Sequence, residues 1–124
     1  MAFKFEKLTV WQKALDLADN INLLTKSFPK DEMFGLTSQI RRAADSVCLN
    51  IAEGSTGQSN AEYIRFLRYA LRSDVEVVAC LHLAKRRNYL LNEHFEGLYA
   101  NCEEILVMIN GLINFLKHAR TAQR

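Results

Sequence analysis

Apolar residues recur three and four positions apart along nearly the whole chain, which is the spacing of a helix and not the alternation of a strand. Four segments carry this spacing, at about residues 8–27, 36–53, 60–87 and 93–118. Four amphipathic helices with short connections most simply pack with antiparallel neighbours. The sequence therefore predicts an all-α fold, an antiparallel up-down four-helix bundle in a single domain over residues 1–124.

Each predicted helix has one apolar stripe, and together the stripes form the predicted core. The first helix has Trp11, Ala14, Ala18, Ile21 and Leu24, with Leu15, Leu17 and Phe28 beside them. The second has Ile40, Ala44, Val47 and Ile51, and the third has Tyr63, Phe66, Leu67, Ala70, Val77, Leu81 and Ala84. The fourth has Phe95, Leu98, Cys102, Ile105, Ile109, Leu112 and Leu116.

Local signals predict where the helices begin and end. Pro29 ends the first helix, because the residue before a proline disfavours the helical conformation. Gly54 is expected just past the end of the second helix, where glycine commonly terminates helices. Ser59, with Glu62 three residues later, forms a capping box that begins the third helix. Asn92 can cap the fourth.

Two of the predicted helices carry more apolar residues than one core stripe needs. These residues are Ile64, Leu71, Val75, Val78 and Leu83 on the third helix, and Leu106, Met108, Ile113 and Phe115 on the fourth. A helix that is apolar around most of its circumference is covered on more than one side. We therefore expect an oligomer.

Composition narrows the class of protein. Hydrophobic residues make up 49% of the 124 residues and charged residues 24%, which is typical of a globular protein. The first residues lack the features of a signal peptide, and no stretch is apolar for long enough to span a membrane, so we expect a cytoplasmic protein. Cys48, Cys80 and Cys102 are odd in number and lie among apolar neighbours, which predicts buried thiols.

No enzyme signature is present in the sequence. It contains no HExxH pair, phosphate-binding glycine loop, GxSxG elbow or ExxH pair. His82, His94 and His118 share no helix turn that could form a ligand set. We therefore expect no catalysis, no metal and no cofactor.

The charge distribution is more informative than the net charge of +2. Arg65, Arg68 and Arg72 are spaced to share one face of the third helix, near Tyr69. Further candidate nucleic-acid-binding residues are Arg41, Arg42, Lys85, Arg86 and Arg87. The fourth helix is acidic, with Glu93, Glu96, Glu103 and Glu104. Basic residues beside an aromatic ring can contact phosphates and stack on bases, but they can also pair with the acids of a neighbouring subunit. Both interpretations remain open.

Glu53 poses a separate question, because a carboxylate at the end of a helix is disfavoured by the helix dipole. In an antiparallel hairpin, this end lies beside the free amides at the start of the third helix and near Arg65. We therefore expect Glu53 to act as a clasp across the loop, helped by Asn50, so that Glu53→Gln would lose roughly 1 to 3 kcal/mol.

Five blocks, when taken together, resemble the 23S rRNA intervening-sequence protein family, also called four-helix bundle proteins. They are LTVWQKA (8–14), FP (28–29), FGLTSQIRRAADSV (34–47), NIAEG (50–54) and EYIRFLRYALRSDVE (62–76). The resemblance implies a bundle of bacterial origin that assembles into a ring, typically a homopentamer. It also implies kinship with the accessory protein of diversity-generating retroelements, a basic-surfaced pentamer associated with nucleic acid and a reverse transcriptase.

The resemblance also assigns framework positions. The family's recurring residues correspond to Gln39, Arg41, Arg42, Asn50, Glu53, Gly54, Phe66, Ser73 and Glu76. Glu76 is expected to partner an arginine of the second helix. The chain departs from the family at Gly57 and Gln58, where basic loop residues are usual, and at Arg72 and Asp74, which flank the serine.

Two functions follow as expectations. The first is a ring-forming, non-enzymatic protein that binds RNA or DNA without sequence specificity through the basic residues of the second and third helices. The alternative is a protein-interaction scaffold or accessory subunit, for example of a reverse transcriptase, in which the arginines serve subunit contacts.

Overall fold

The computed structural model describes residues 2–122, and the side chains of residues 2–119. In this part of the chain the structure is all-α and has four long helices and no strand. The helices are α1 (Thr9–Leu24), α2 (Leu36–Ser55), α3 (Asn60–Arg86) and α4 (Asn92–Ala122). Short 3₁₀ turns lie at Lys4–Lys7, Thr25–Ser27 and Lys30–Glu32. The helices therefore follow the prediction closely, with ends shifted by four residues or fewer.

Neighbouring helices run in opposite directions. Each helix packs against the one before it in sequence, and α1 also packs against α4. Gln39 near the start of α2 bonds to Glu76, whereas Gly54 at its end lies against Phe66, so α2 and α3 are antiparallel. The core lies between the four helices, and the end that carries Phe28 and Tyr89 joins α1 to α2 and α3 to α4.

The predicted stripe of α2 is confirmed, because Ile40, Ala44, Val47 and Ile51 are all fully buried. On α1 the stripe is rotated: Val10 and Leu17 are buried, whereas Trp11 is only half-buried. The ring of Trp11 packs edge-on against Phe5, with 4.8 Å between the ring centroids. The N-terminal 3₁₀ turn thus covers part of α1 that sequence periodicity assigned to the core.

The apolar residues beyond the main stripes divide into three groups. Ile64 and Ile113 are buried. Leu71, Leu106, Val78 and Met108 are half-buried. Val75, Leu83 and Phe115 are exposed. Part of the surplus that predicted an oligomer is therefore absorbed within the chain.

The ends of α3 are set by its sequence. The amide of Glu62 donates to the hydroxyl of Ser59 at 3.1 Å, so the predicted N-terminal cap is present. At the other end Asn88 adopts a left-handed conformation, with φ of 61°. The amides of Asn88 and Tyr89 then donate to the carbonyls of Lys85 and Ala84, which closes the helix in a Schellman motif.

Gly54 does not end α2 as predicted, since α2 continues to Ser55 and Gly54 itself is buried. A Cβ atom at Gly54 would lie 2.8 Å from Cβ of Phe66 and 3.1 Å from the ring of Tyr63. Glycine is thus needed because α3 approaches α2 closely there, and not because the backbone turns.

The three thiols are buried and free, as predicted. Removal from water raises the pKa of Cys48, Cys80 and Cys102, so all three remain protonated at neutral pH.

Candidate nucleic-acid interface

Four of the candidate arginines are exposed and have no acidic partner among residues 2–119. They are Arg42, Arg68, Arg72 and Arg86. Arg65 is also exposed, and its guanidinium lies over the ring of Phe66, 5.4 Å from the centroid. Arg65, Arg68, Arg72 and Arg86 lie on the outer side of α3, and we call these four residues the α3 basic face.

The α3 basic face extends along most of its helix. Arg65 and Arg86 are 21 residues apart, which corresponds to roughly 30 Å at the rise of an α-helix. Tyr69 is exposed between Arg68 and Arg72, and its ring packs edge-on against Phe66. The surface thus combines several cations with one accessible aromatic ring.

Arg42 lies in a separate position, in a shallow cleft between α2 and α3. Gln39, Ser46 and Glu76 line the same cleft. The side-chain amide of Gln39 donates to the carboxylate of Glu76 at 3.2 Å. The expected arginine partner of Glu76 is therefore replaced by a glutamine.

Arg41 is half-buried and makes a contact between helices. Its Nε donates to the hydroxyl oxygen of Thr25 at 2.8 Å. The same hydroxyl donates to the carbonyl of Ile21 at 2.7 Å. Arg41 thus ties α2 to the end of α1, and its role as a nucleic-acid ligand stays a prediction.

Arg87 is also engaged within the chain. Its guanidinium pairs with the Glu32 carboxylate at 3.1 Å, and the Tyr89 hydroxyl donates to the same oxygen at 2.7 Å. The other oxygen of Glu32 accepts from the amide of Leu36 at 3.2 Å. The bond from Tyr89, more than the nearby arginine, lowers the pKa of Glu32. Arg87 therefore helps to fix one end of the bundle, and its role as a nucleic-acid ligand stays a prediction.

Lys85 is partly engaged as well. Its ammonium lies over the ring of Phe95, 4.3 Å from the centroid, and so connects α3 to α4. It remains exposed at the surface.

The predicted clasp is not formed within the chain. Glu53 is exposed, and its carboxylate makes no hydrogen bond or ion pair with any side chain that the structure describes. The side-chain amide of Asn50 donates to the carbonyl of Ser46 at 2.9 Å and does not reach Glu53. The close approach of α3 to Gly54 holds the two helices together instead.

Asp74 was named from the sequence only as a departure from the family, and its burial was not predicted. Its side chain is 2% exposed, and its Oδ1 has no hydrogen-bond partner in the part of the chain with described side chains. Burial raises the pKa of Asp74 to about 7, although an interaction with the Cys102 thiol lowers it. The signal was available, because Asp74 continues the three-and-four spacing of Leu67, Ala70, Val77 and Leu81.

Neither a metal centre nor a membrane-spanning helix is found in the described part of the chain. Across residues 2–119, no cluster of three or more histidine, cysteine, aspartate or glutamate side chains is arranged to hold a metal ion. Within 2–122, no helix combines the length and apolar character that crossing a membrane requires.

These observations define the class of protein: it is an all-α protein of four helices with a basic face on the outer side of one helix. Residues 6–111 match the 23S rRNA-intervening sequence protein family, and the chain belongs to that family. The resemblance noted from the sequence is thereby confirmed.

A crystal structure from Bacteroides thetaiotaomicron VPI-5482 is similar to this chain. It is of a protein with unknown function from the S23 ribosomal protein family. The two share 30% identity and a TM-score of 0.78, over 85% of this chain and 98% of that chain. No curated protein matches this chain.

Proposed function

We propose that this protein is a non-enzymatic, ring-forming protein that binds RNA or DNA through the α3 basic face, without sequence specificity. The observation that carries this proposal is the contrast among its arginines. Arg41 and Arg87 are held by partners within the chain, whereas the four residues of the α3 basic face point outward without a carboxylate.

Phosphate contact is the chemistry that suits such a face. Guanidinium groups bind phosphate oxygens in pairs of hydrogen bonds, and they release condensed counterions as they do so. A ring would repeat the face once per subunit, so that weak contacts along one nucleic acid strand act together. Tyr69 can stack on a base, which is tolerant of sequence.

The experiment that tests this proposal is a titration of labelled single-stranded RNA and double-stranded DNA. Binding should weaken steeply between about 50 and 200 mM salt, and Arg65→Gln, Arg68→Gln and Arg72→Gln together should weaken it about tenfold or more. A matched control replaces Lys4, Lys7 and Lys26, which are exposed elsewhere, with glutamine. The control removes the same charge and should retain most of the affinity. Absence of binding at about 50 mM salt would contradict the proposal.

A second candidate function is a scaffold that docks another protein, such as a reverse transcriptase. Exposed apolar side chains near the arginines favour it, notably Leu49 on α2 and Val75 and Leu83 on α3. In this case the unchanged protein would not bind nucleic acid, and the triple arginine variant would lose assembly or partner binding. Measuring its mass by light scattering therefore separates the two candidates.

A further inference from the structure

Two exposed aromatic rings lie at opposite edges of the outer side of α3. Tyr69 is 41% exposed and packs edge-on against Phe66, with 5.5 Å between the ring centroids. Since Phe66 lies against Gly54 of α2, Tyr69 is at the edge toward α2. His82 is exposed and packs edge-on against Phe95 of α4, with 5.0 Å between the centroids. His82 is therefore at the edge toward α4.

The edge at His82 combines aromatic rings with cations. Tyr99 of α4 lies 6.3 Å from His82 and 5.8 Å from Phe95, measured between ring centroids. Lys85 and Arg86 are exposed and follow His82 by three and four positions, which places them one helix turn away on the same side of α3. A base stacked on the His82 ring would thus have two cations close to its phosphates.

The surface between the two rings favours phosphate. The rings are 13 residues apart in sequence, which corresponds to roughly 20 Å along an α-helix. Arg72 is exposed between them. Of the two acidic residues in this stretch of α3, Asp74 is buried and Glu76 accepts a bond from Gln39 of α2. The outer side of α3 between the rings therefore presents a cation and no free carboxylate.

The neighbouring surface of α4 limits where phosphates can lie. Glu96 and Glu103 are exposed and stand three residues before and four residues after Tyr99, so they share its side of α4. Their charges repel phosphates. A nucleic acid on this surface is therefore expected to keep its phosphates over α3 and to turn its bases toward the rings at the two edges.

The rings distinguish between two forms of nucleic acid, which the arginines alone do not favour in the same way. A duplex carries more phosphates per unit length than a single strand, so arginines alone would bind the duplex more tightly. The base faces of a duplex are covered by neighbouring base pairs, whereas unpaired bases are free to stack on aromatic side chains. Each stacked base raises affinity about fivefold to a hundredfold.

We propose that the α3 basic face selects single-stranded nucleic acid, with one base stacked on Tyr69 and another on His82. This inference rests on the proposed function, for which it names the form of nucleic acid that is bound. The arginines bind the phosphates of any sequence, and the two rings give the preference for unpaired bases. His82 is then a base-stacking residue in addition to the α3 basic face.

The test compares two probes at the same salt concentration, about 50 mM. One probe is a labelled single-stranded RNA of about 12 nucleotides, and the other is the duplex of the same sequence. Fluorescence anisotropy should show tighter binding of the single strand by the unchanged protein. Tyr69→Ala and His82→Ala should each weaken single-strand binding about fivefold or more and change duplex binding less than about twofold.

Variants that keep a ring separate stacking from other roles of these side chains. Tyr69→Phe and His82→Phe should retain most of the single-strand affinity, because each still offers a ring to a base. Leu83→Ala is the matched control, since Leu83 is an exposed apolar residue of α3 next to His82 but has no ring. This control should bind the single strand like the unchanged protein.

The outcomes distinguish this inference from the proposed function. Duplex binding as tight as single-strand binding would overturn the inference. Alanine variants with unchanged affinity for the single strand, phenylalanine variants as weak as the alanine variants, or an equal loss in Leu83→Ala would also overturn it. In each of these cases nucleic-acid binding by the arginines would stand. Binding of neither probe at about 50 mM salt would overturn the proposed function and this inference together.

Discussion

The contact between α2 and α3 differs from the contact between α1 and α4. The first is close at Gly54 of α2, where an added Cβ atom would lie 2.8 Å from Cβ of Phe66 and 3.3 Å from the carbonyl oxygen of Tyr63. The second is open, with an apolar groove at one end and an exposed pair between Lys13 and Glu104 at 3.1 Å further along. The comparison shows that α3 approaches α2 closely at Gly54, whereas α1 and α4 leave an apolar groove between them unfilled.

The largest expected effect concerns Asp74 on α3, whose carboxyl is almost out of contact with water and interacts with the Cys102 thiol of α4. Its pKa is about 7 in the folded chain but about 3.9 when unfolded. Between about pH 4 and 7 the unfolded state loses its proton while the folded state keeps it, so stability falls as the pH rises. Above about pH 7 both states are ionised and the loss is complete, at most about 4 kcal/mol.

Asp74→Asn tests this expectation, because it removes the charge with little change of shape. The variant should be more stable than the unchanged protein at about pH 8. Between about pH 4 and 7 its free energy of unfolding should fall much less than that of the unchanged protein. Urea unfolding at several pH values provides the measurement. Asp45→Asn is the control. Because Asp45 is exposed, this variant should show the same fall in the free energy of unfolding with rising pH as the unchanged protein. An undiminished decline in Asp74→Asn would contradict the assignment.

The next effect tests the close contact itself. Gly54→Ala places a methyl group 2.8 Å from Cβ of Phe66, next to the backbone of α3, which has little room to move. We expect a loss of about 2 to 3 kcal/mol, as for other overpacked cores. Gly97→Ala on the open side should instead gain about 0.5 to 1 kcal/mol from helix propensity. Equal effects of the two changes on urea unfolding would remove the distinction between the two contacts.

The smallest expected effect belongs to Glu53. From the sequence we expected Glu53→Gln to cost roughly 1 to 3 kcal/mol through a lost clasp. Since the carboxylate is exposed and unbonded within the described chain, we now expect a change within about 0.5 kcal/mol. Thermal unfolding measures the change in stability. A loss of stability above about 1 kcal/mol would support the clasp that was expected from the sequence.

The sequence predicted what depends on local spacing. The buried stripe of α2 and the cap formed by Ser59 were both predictable, because each depends on residues a few positions apart. Gly54 was placed at the right end of α2 but given the wrong role, since a glycine there fits a helix end and a close approach equally well. The burial of Asp74 was not predicted, because a charged residue was not expected on an apolar stripe.

The site was predicted less well than the fold. Arg41 and Arg87 belonged to the same basic set as Arg68 in the sequence, and only their partners distinguish them. Those partners, Thr25 and Glu32, are 16 and 55 residues away. Spacing on one helix cannot indicate such distant contacts. It therefore predicts the charge of a helix face but not which of its arginines are bonded to other parts of the chain.

The buried thiols of Cys48, Cys80 and Cys102 have a practical consequence. Since all three are enclosed by the core and remain protonated, a maleimide reagent should react with them only when the bundle opens. The rate of alkylation then reports opening of the folded chain directly. A cysteine introduced at a surface position can also be labelled with a dye while the native ones stay in place, so that fluorescence energy transfer between labelled copies tests the proposed self-association.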